Sequence, residues 1–305
     1  MKKSAIAGGI AVVLVAGWLG GTWYTGKRLE AEAPERLAQL NQRLVQVYPA
    51  YGMKIEQLSY TRGFFSSHAR YGLTMVGKDR DASNPALPAG VLQVDVTAYH
   101  GPLPLQALAH GIVGPRLAWV HSEIVQTDAA KPLFEAAHGK TPVSSNIALS
   151  YGGKTQSTLD VAPLDFTYKG HKIAFGGAQS HSKFNRSTQD LQSTTQFASL
   201  SYDGADLGGG QVSIKANPQS LAIDPLLWKT DKGEGRFMMT AKGQFPRNDP
   251  GQPADANAVT PSLDSLSAKL VLSKAMLNEL AASYLVIAQG MSQQDADKAA
   301  PRQVN

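Results

Sequence analysis

Between Gly52 and Leu272, stretch after stretch of the sequence changes character every second residue. Ala69, Tyr71, Leu73 and Met75 alternate with His68, Arg70, Gly72 and Thr74, and Leu92, Val94, Val96 and Ala98 alternate with Gln93, Asp95 and Thr97. Ile147, Leu149 and Tyr151 continue the pattern, followed by Leu159 and Val161, Leu164, Phe166 and Tyr168, and Ile173 and Phe175. Val212 and Ile214, then Phe237, Met239 and Ala241, then Leu266, Ala268, Leu270 and Leu272 complete it. A period of two is that of a strand, and polar residues at the alternate positions leave one face wet. Such strands pair antiparallel across Gly, Pro, Asn and Asp turns. The expected fold class is mainly β with flanking helices (α+β), built on a long, antiparallel, twisted, open sheet.

Helical spacing flanks this region, and short helical stretches interrupt it. Residues 29–51 carry Leu37, Leu40, Leu44, Val47, Tyr48 and Tyr51 at intervals of three and four, with Pro34 in a first turn. That segment reads as a stalk or a helix lying on the domain, or as a membrane-surface helix given Arg36 and Arg43. His100–His110 and Ala129–His138 read as turns with short helices. Residues 246–262 hold Pro246, Pro250, Pro253 and Pro261 and form a loop or hinge. Ser273 caps an expected helix over 274–289, with Met276, Leu277, Leu280, Tyr284 and Ile287 on one face, packed on or beside the sheet. The polar tail 292–305 is expected to fray.

At the other end, Met1-Lys2-Lys3 precedes an uncharged run from Ser4 to Gly26. At about 1.5 Å per helical residue it reaches roughly 34 Å, enough to cross a bilayer core. Trp18, Trp23 and Tyr24 lie where an aromatic belt would be, and Lys27 and Arg28 close the run. A cleaved signal peptide would have a shorter apolar region. The A-x-A that follows the apolar run, Ala31-Glu32-Ala33, lies past the charges and before Pro34. The run therefore reads as an uncleaved anchor, with a slight positive-inside bias for a cytoplasmic N-terminus. Gly17 and Gly21 form a G-x-x-x-G whose spacing would let two such helices pair as a homodimer. The expected organisation is an anchor over 1–28, a juxtamembrane helix over 29–51, a β-rich domain over 52–245, a Pro-rich loop over 246–262, and a final strand, helix and polar tail over 263–305.

Composition narrows the chemistry. There is no cysteine, which excludes disulfide scaffolds, thiolate metal sites and thiol catalysis. A net charge of +5 without a basic patch argues against a nucleic-acid partner. Gly139-Lys140-Thr141 and Gly153-Lys154-Thr155 imitate the end of a phosphate loop, but Phe134 and Ala148 stand where the first glycine must be. His68, His100, His110, His121, His138, His171 and His181 show no metal-ligand spacing. His100 stands out because it opens the Pro102/Pro104 turn, where its expected role is a hydrogen bond to turn backbone. No nucleophile elbow or carboxylate pair is legible. No catalytic, metal or cofactor-binding residue is therefore assigned, and no cofactor is expected. In Arg62-Gly63-Phe64-Phe65-Ser66-Ser67, the two aromatics follow a glycine at a hairpin connection. Phe64 and Phe65 read first as a staple of the hairpin into the core, and alternatively as an exposed tip touching lipid or a partner.

Several segments together resemble the YdgA/YihF family of Gram-negative envelope proteins of unknown function. They are the start from Met1 through Lys27, Arg62–Ser67, His100-Gly101-Pro102-Leu103-Pro104-Leu105, Lys131-Pro132-Leu133-Phe134 with Gly139-Lys140-Thr141-Pro142, Pro225-Leu226-Leu227-Trp228-Lys229, and Ser265–Leu270. The resemblance runs across most of 1–290. Members look longer, and between about 185 and 210 this chain lacks their middle region. The resemblance implies a bacterial inner-membrane anchor with a periplasmic domain, and it supplies no catalytic residues. Three functions stay open: a non-enzymatic envelope protein with a structural or interaction role and an envelope protein or lipid partner; a carrier of lipid or hydrophobic ligand on the apolar face of the open sheet; and a hydrolase with an unrecognised site.

Overall fold

The computed structural model describes residues 22–303, apart from 76–90, 246–261 and positions 23, 25, 28, 29, 36, 43, 47, 48, 50, 51, 103 and 232. The described positions between 22 and 46 are all helical (α1). Then follow β1 (Met53–Arg62), β2 (Ser66–Met75), β3 (Leu92–His100), α2 (Leu105–Ala109), β4 (Ala118–Ile124), α3 (Lys131–Ala136), β5 (Val143–Leu149) and β6 (Lys154–Val161). The second half holds β7 (Leu164–Tyr168), β8 (His171–Phe175), β9 (Ala178–Asn185), β10 (Asp190–Tyr202), β11 (Ala205–Asn217), β12 (Ser220–Lys229), β13 (Glu234–Gln244), β14 (Ser262–Leu272), α4 (Lys274–Gln289) and α5 (Gln293–Gln303). The strands form one 14-stranded sheet in the order β1-β2-β3-β4-β5-β6-β9-β10-β11-β12-β13-β14, with the β7–β8 hairpin attached to β10.

Directly paired residues in an antiparallel ladder share a face. One register line shows how the apolar face is built. It runs His100, Ala118, Leu149, Thr155, Phe184, Leu191, Ala216, Leu221, Ala241, Leu266 from β3 to β14. Further along the strands, Val96 faces Ala69 and Ser122, and Ile214 faces Ile223 and Ser193. Little covers this face. Among the described residues the large apolar side chains that are buried are Leu92, Trp119, Phe134, Met276 and Leu285, and most of the other buried apolar residues are alanines. Leu92 packs with Ala130 and Phe134 beside Leu73 and Ile124, so the α3 segment caps one end of the apolar face. On the opposite face Ala107 and Ile112 pack on Tyr99, Trp119 and Ala148.

The sheet's two edges are treated differently. Along β1, Asn41 of α1 accepts a hydrogen bond from the Ile55 amide at 2.7 Å and donates one to the Ile55 carbonyl at 2.8 Å. These are the backbone groups an edge strand leaves open, so α1 closes that edge. At the other edge, β14 is exposed along nearly its whole length. Leu263, Leu266 and Leu270 are 58%, 60% and 62% exposed.

The C-terminal region departs from expectation twice. Ser273 does cap α4, accepting from the Met276 amide at 3.0 Å. Of the expected apolar face, however, only Met276 is buried, and Leu277, Leu280, Tyr284 and Ile287 are exposed. The tail is a helix rather than a frayed end. Ala296 and Ala300 pack on Ala282 and Leu285, with Met291 against the same cluster. Ser292 caps α5, accepting from the Asp295 amide and donating to its carboxylate. Removing the α4 cap with Ser273→Ala should cost about 1 kcal/mol, read as a fall in the urea unfolding midpoint.

Among the described residues no helix is long and apolar enough to cross a membrane. The expected span up to Gly21, with Gly17 and Gly21 of the pairing motif, lies outside the described residues, as does the Pro-rich loop except Ser262.

Candidate functional site

Three features could carry function: a buried junction at one corner, a polar cleft on one face, and the open apolar face on the other.

The junction is centred on His100, at the end of β3. Its Nδ1 lies 3.1 Å from the Thr22 carbonyl and its Nε2 lies 3.2 Å from the Ser67 hydroxyl. A carbonyl can only accept, so Nδ1 carries the proton and Nε2 accepts from Ser67. His100 thus ties the first described turn of α1 to the sheet and does not bond the turn that follows it. Small residues make the fit possible. A side-chain carbon at Gly26 would stand 2.5 Å from the imidazole, and one at Gly101 would stand 2.4 Å from the Thr22 hydroxyl. Glu30 meets Arg62 at 3.3 Å further down the same helix. The His100 amide donates to the Phe65 carbonyl at 3.0 Å, which joins the junction to the first hairpin.

Phe64 and Phe65 do not staple that hairpin into the core. They are 46% and 48% exposed and pack edge-to-face on each other, with ring centroids 4.9 Å apart. The alternative, an exposed aromatic tip, is the arrangement found. Gly63 opens the tip, its amide donating to the Ser66 carbonyl at 2.7 Å.

Burial lowers the pKa of His100 from its ordinary 6.5, and the positive Arg62 acts in the same direction. The neutral ring is the native form. Protonation is favoured in the unfolded chain, so stability is full above about pH 6.5 and falls as pH drops below it. Urea midpoints at pH 7.5 and 5.5 should therefore differ more for the wild type than for His100→Gln, which has no proton to gain there.

The cleft of about 620 Å³ lies over the polar face. His110, Ile112, Trp119, Asn146, Thr158 and His181 are among its lining residues. Here the sheet collects histidines that are distant in sequence. His68, Thr97, His121, Asn146, Thr158, His181, Thr194 and Ser213 form one register line from β2 to β11. The line is partly hydrogen-bonded: His68 Nδ1 to Thr97 Oγ1 at 3.1 Å, and His121 Nδ1 to Asn146 Oδ1 at 2.8 Å. Such a row can offer donors and acceptors to a polar ligand. A hydrolytic site would need one histidine holding both an acid and a hydroxyl. His100 holds a hydroxyl and a carbonyl, while His121 holds an amide and meets Glu123 at 3.7 Å. Among the described residues no group of three His, Asp or Glu side chains could hold a metal ion. The phosphate-loop imitations are turns: Gly139 follows α3, and Gly153 joins β5 to β6.

Comparison with known proteins adds the lineage. The model of a family described as bacterial protein of unknown function (DUF945) matches residues 1–217 and again 214–305, the two matches meeting in β11. The chain belongs to the DUF945 family. It is 33% identical over 181 residues to Protein YdgA of Escherichia coli strain K12, an overlap of 59% of this chain and 35% of that protein. It is 34% identical over 180 residues to the uncharacterized protein YihF of the same strain, covering 59% of this chain and 36% of the relative. An uncharacterized protein of Haemophilus influenzae is 29% identical over 177 residues, 57% of this chain and 46% of its own length. The matched region thus spans less than half of each of these relatives, and their names carry no activity. No solved structure matches the chain.

Proposed function

We propose that this DUF945 member is a non-enzymatic, membrane-anchored protein of the bacterial envelope whose sheet holds lipid or a similar hydrophobic ligand on its open apolar face. The observation that carries the reading is the largely apolar register line that crosses that face from Ala118 to Leu266, with so little packed against it. A chain of this length ordinarily buries a second layer against such a surface. Large exposed apolar surfaces mark sites for lipid, ligand or protein. An acyl chain suits a long shallow strip because its burial is worth about 0.8 kcal/mol per methylene and needs no hydrogen bonds.

The ligand reading is tested by photo-crosslinking in intact cells. A benzophenone side chain at Ile214 or Val96 should capture lipid. The same group at Ser213 or Thr97, one residue away on the opposite face, should not. Protein adducts alone at Ile214 and Val96 would contradict the reading. The expected placement is an N-terminus in the cytoplasm and the sheet in the periplasm. Because the chain has no cysteine, Asp128→Cys should react with an impermeant maleimide once the outer membrane is permeabilised. Labelling only after lysis would put the domain in the cytoplasm.

A second reading, docking of another protein, is favoured by α4. Leu277, Leu280, Tyr284 and Ile287 are exposed at intervals of three and four, the spacing with which one helix meets another.

A further inference from the structure

The hairpin tip and the first described turn of α1 stand at the same level. α1 runs back along β1 from its attachment at Asn41 and Ile55. From Asn41 to Thr22 a helix rises roughly 28 Å. From Ile55 to Gly63 an extended strand covers roughly 26 Å. The contacts agree with the arithmetic: the His100 ring reaches the Thr22 carbonyl, and the His100 amide reaches the Phe65 carbonyl. The loop between β3 and β4 leaves from the same end, since His100 pairs with Ala118. Within that loop Leu105 is 70% exposed and Val113 is 80% exposed. Phe64, Phe65, Leu105 and Val113 are therefore exposed apolar side chains of the two connections that leave the sheet at the end where the run 4–26 joins it.

We propose that Phe64 and Phe65, with Leu105 and Val113, insert into the headgroup–acyl boundary of the bilayer beside the anchor. The proposal rests on the reading of 4–26 as that anchor. A membrane surface at the level of Thr22 meets the tip, which lies where an interfacial aromatic residue sits, about 5–10 Å into the boundary. The His100 junction then fixes the depth, because it holds the tip and the first described turn of α1 to one another. The sheet stands with one end against the membrane instead of swinging on a linker.

The absence of cysteine makes the test direct. Spin labels are placed singly at Phe65→Cys, Phe64→Cys, Val13→Cys and Asp128→Cys in the full chain. The protein is reconstituted in nanodiscs of mixed phosphatidylethanolamine and phosphatidylglycerol. Relative accessibility to oxygen and to a water-soluble nickel chelate reports depth. The proposal expects Val13, Phe64 and Phe65 to favour oxygen several-fold over Asp128. A lipid-exposed Val13 with Phe64 and Phe65 as water-accessible as Asp128 would overturn the insertion and leave the anchor standing. A water-accessible Val13 would overturn the anchor reading, and the insertion with it. Both aromatic positions are exposed, so neither substitution removes core packing.

Discussion

Replacing Asn41 by leucine will open the β1 edge. The side-chain amide makes two hydrogen bonds to Ile55, one to each backbone group. Each bond is worth about 1 kcal/mol net, and backbone groups left without a partner cost more. The expected loss is therefore about 2–3 kcal/mol, a large part of what holds a marginally stable domain. The change should be visible as a lower urea midpoint and as faster hydrogen exchange at the Ile55 amide. It should also promote association, because a bare strand edge is a template for another chain. Asn41→Asp keeps the acceptor for the Ile55 amide and loses the donor, so it should fall between wild type and leucine. If Asn41→Leu leaves both stability and exchange at Ile55 unchanged, α1 does not close that edge.

A charge in the apolar face will have the largest effect on ligand retention. Val96→Asp and Ile214→Asp each place a carboxylate beside an apolar cross-strand partner, Ala69 or Ile223, on the face proposed to hold lipid. Displacing even two or three methylenes from that surface removes about 1.5–2.5 kcal/mol, and each 1.4 kcal/mol is tenfold in affinity. The double variant should lose bound lipid by at least about tenfold. Thr97→Asp and Ser213→Asp add the same charge one residue away and should retain it. Equal loss from both pairs would point to general disruption instead of a faced binding surface.

The sheet was legible in the sequence where burial is one-sided. Leu92, Val94, Val96 and Ala98 face their partners as their alternation implies. β9 and β10 were not legible, because Ser180, Ser182, Ser193 and Thr195 occupy the face that elsewhere carries Val and Ile. A single layer buries neither face deeply. Ser and Thr are tolerated there, and the period-two hydrophobic signal vanishes. β12 was hidden by Pro225, which sits in a bulge between Ile223 and Leu226, where a central strand can accommodate proline. The α5 helix did leave a signal in Ser292 and Asp295, spaced as a capping box, with Met291 ahead of the cap to pack near Ala296. The stripe on α4 was legible as a helix face, but nothing local says whether such a face is covered. For the site, the Pro102/Pro104 turn singled out His100, while its partner Thr22 lies 78 positions earlier and only the fold could supply it. The row of His68, His121 and His181 was invisible for the same reason, since register and not spacing assembles it.

The measurement that tests the central claim most directly is the lipid content of the sheet freed from the proposed anchor. Residues 22–305, which keep Thr22 for the His100 junction, would be exported to the periplasm, purified without detergent and examined intact by native mass spectrometry. The account expects at least one phospholipid or glycolipid bound per chain, lost in the Val96→Asp, Ile214→Asp variant and kept in the Thr97→Asp, Ser213→Asp variant. A folded, monodisperse and lipid-free protein would contradict it.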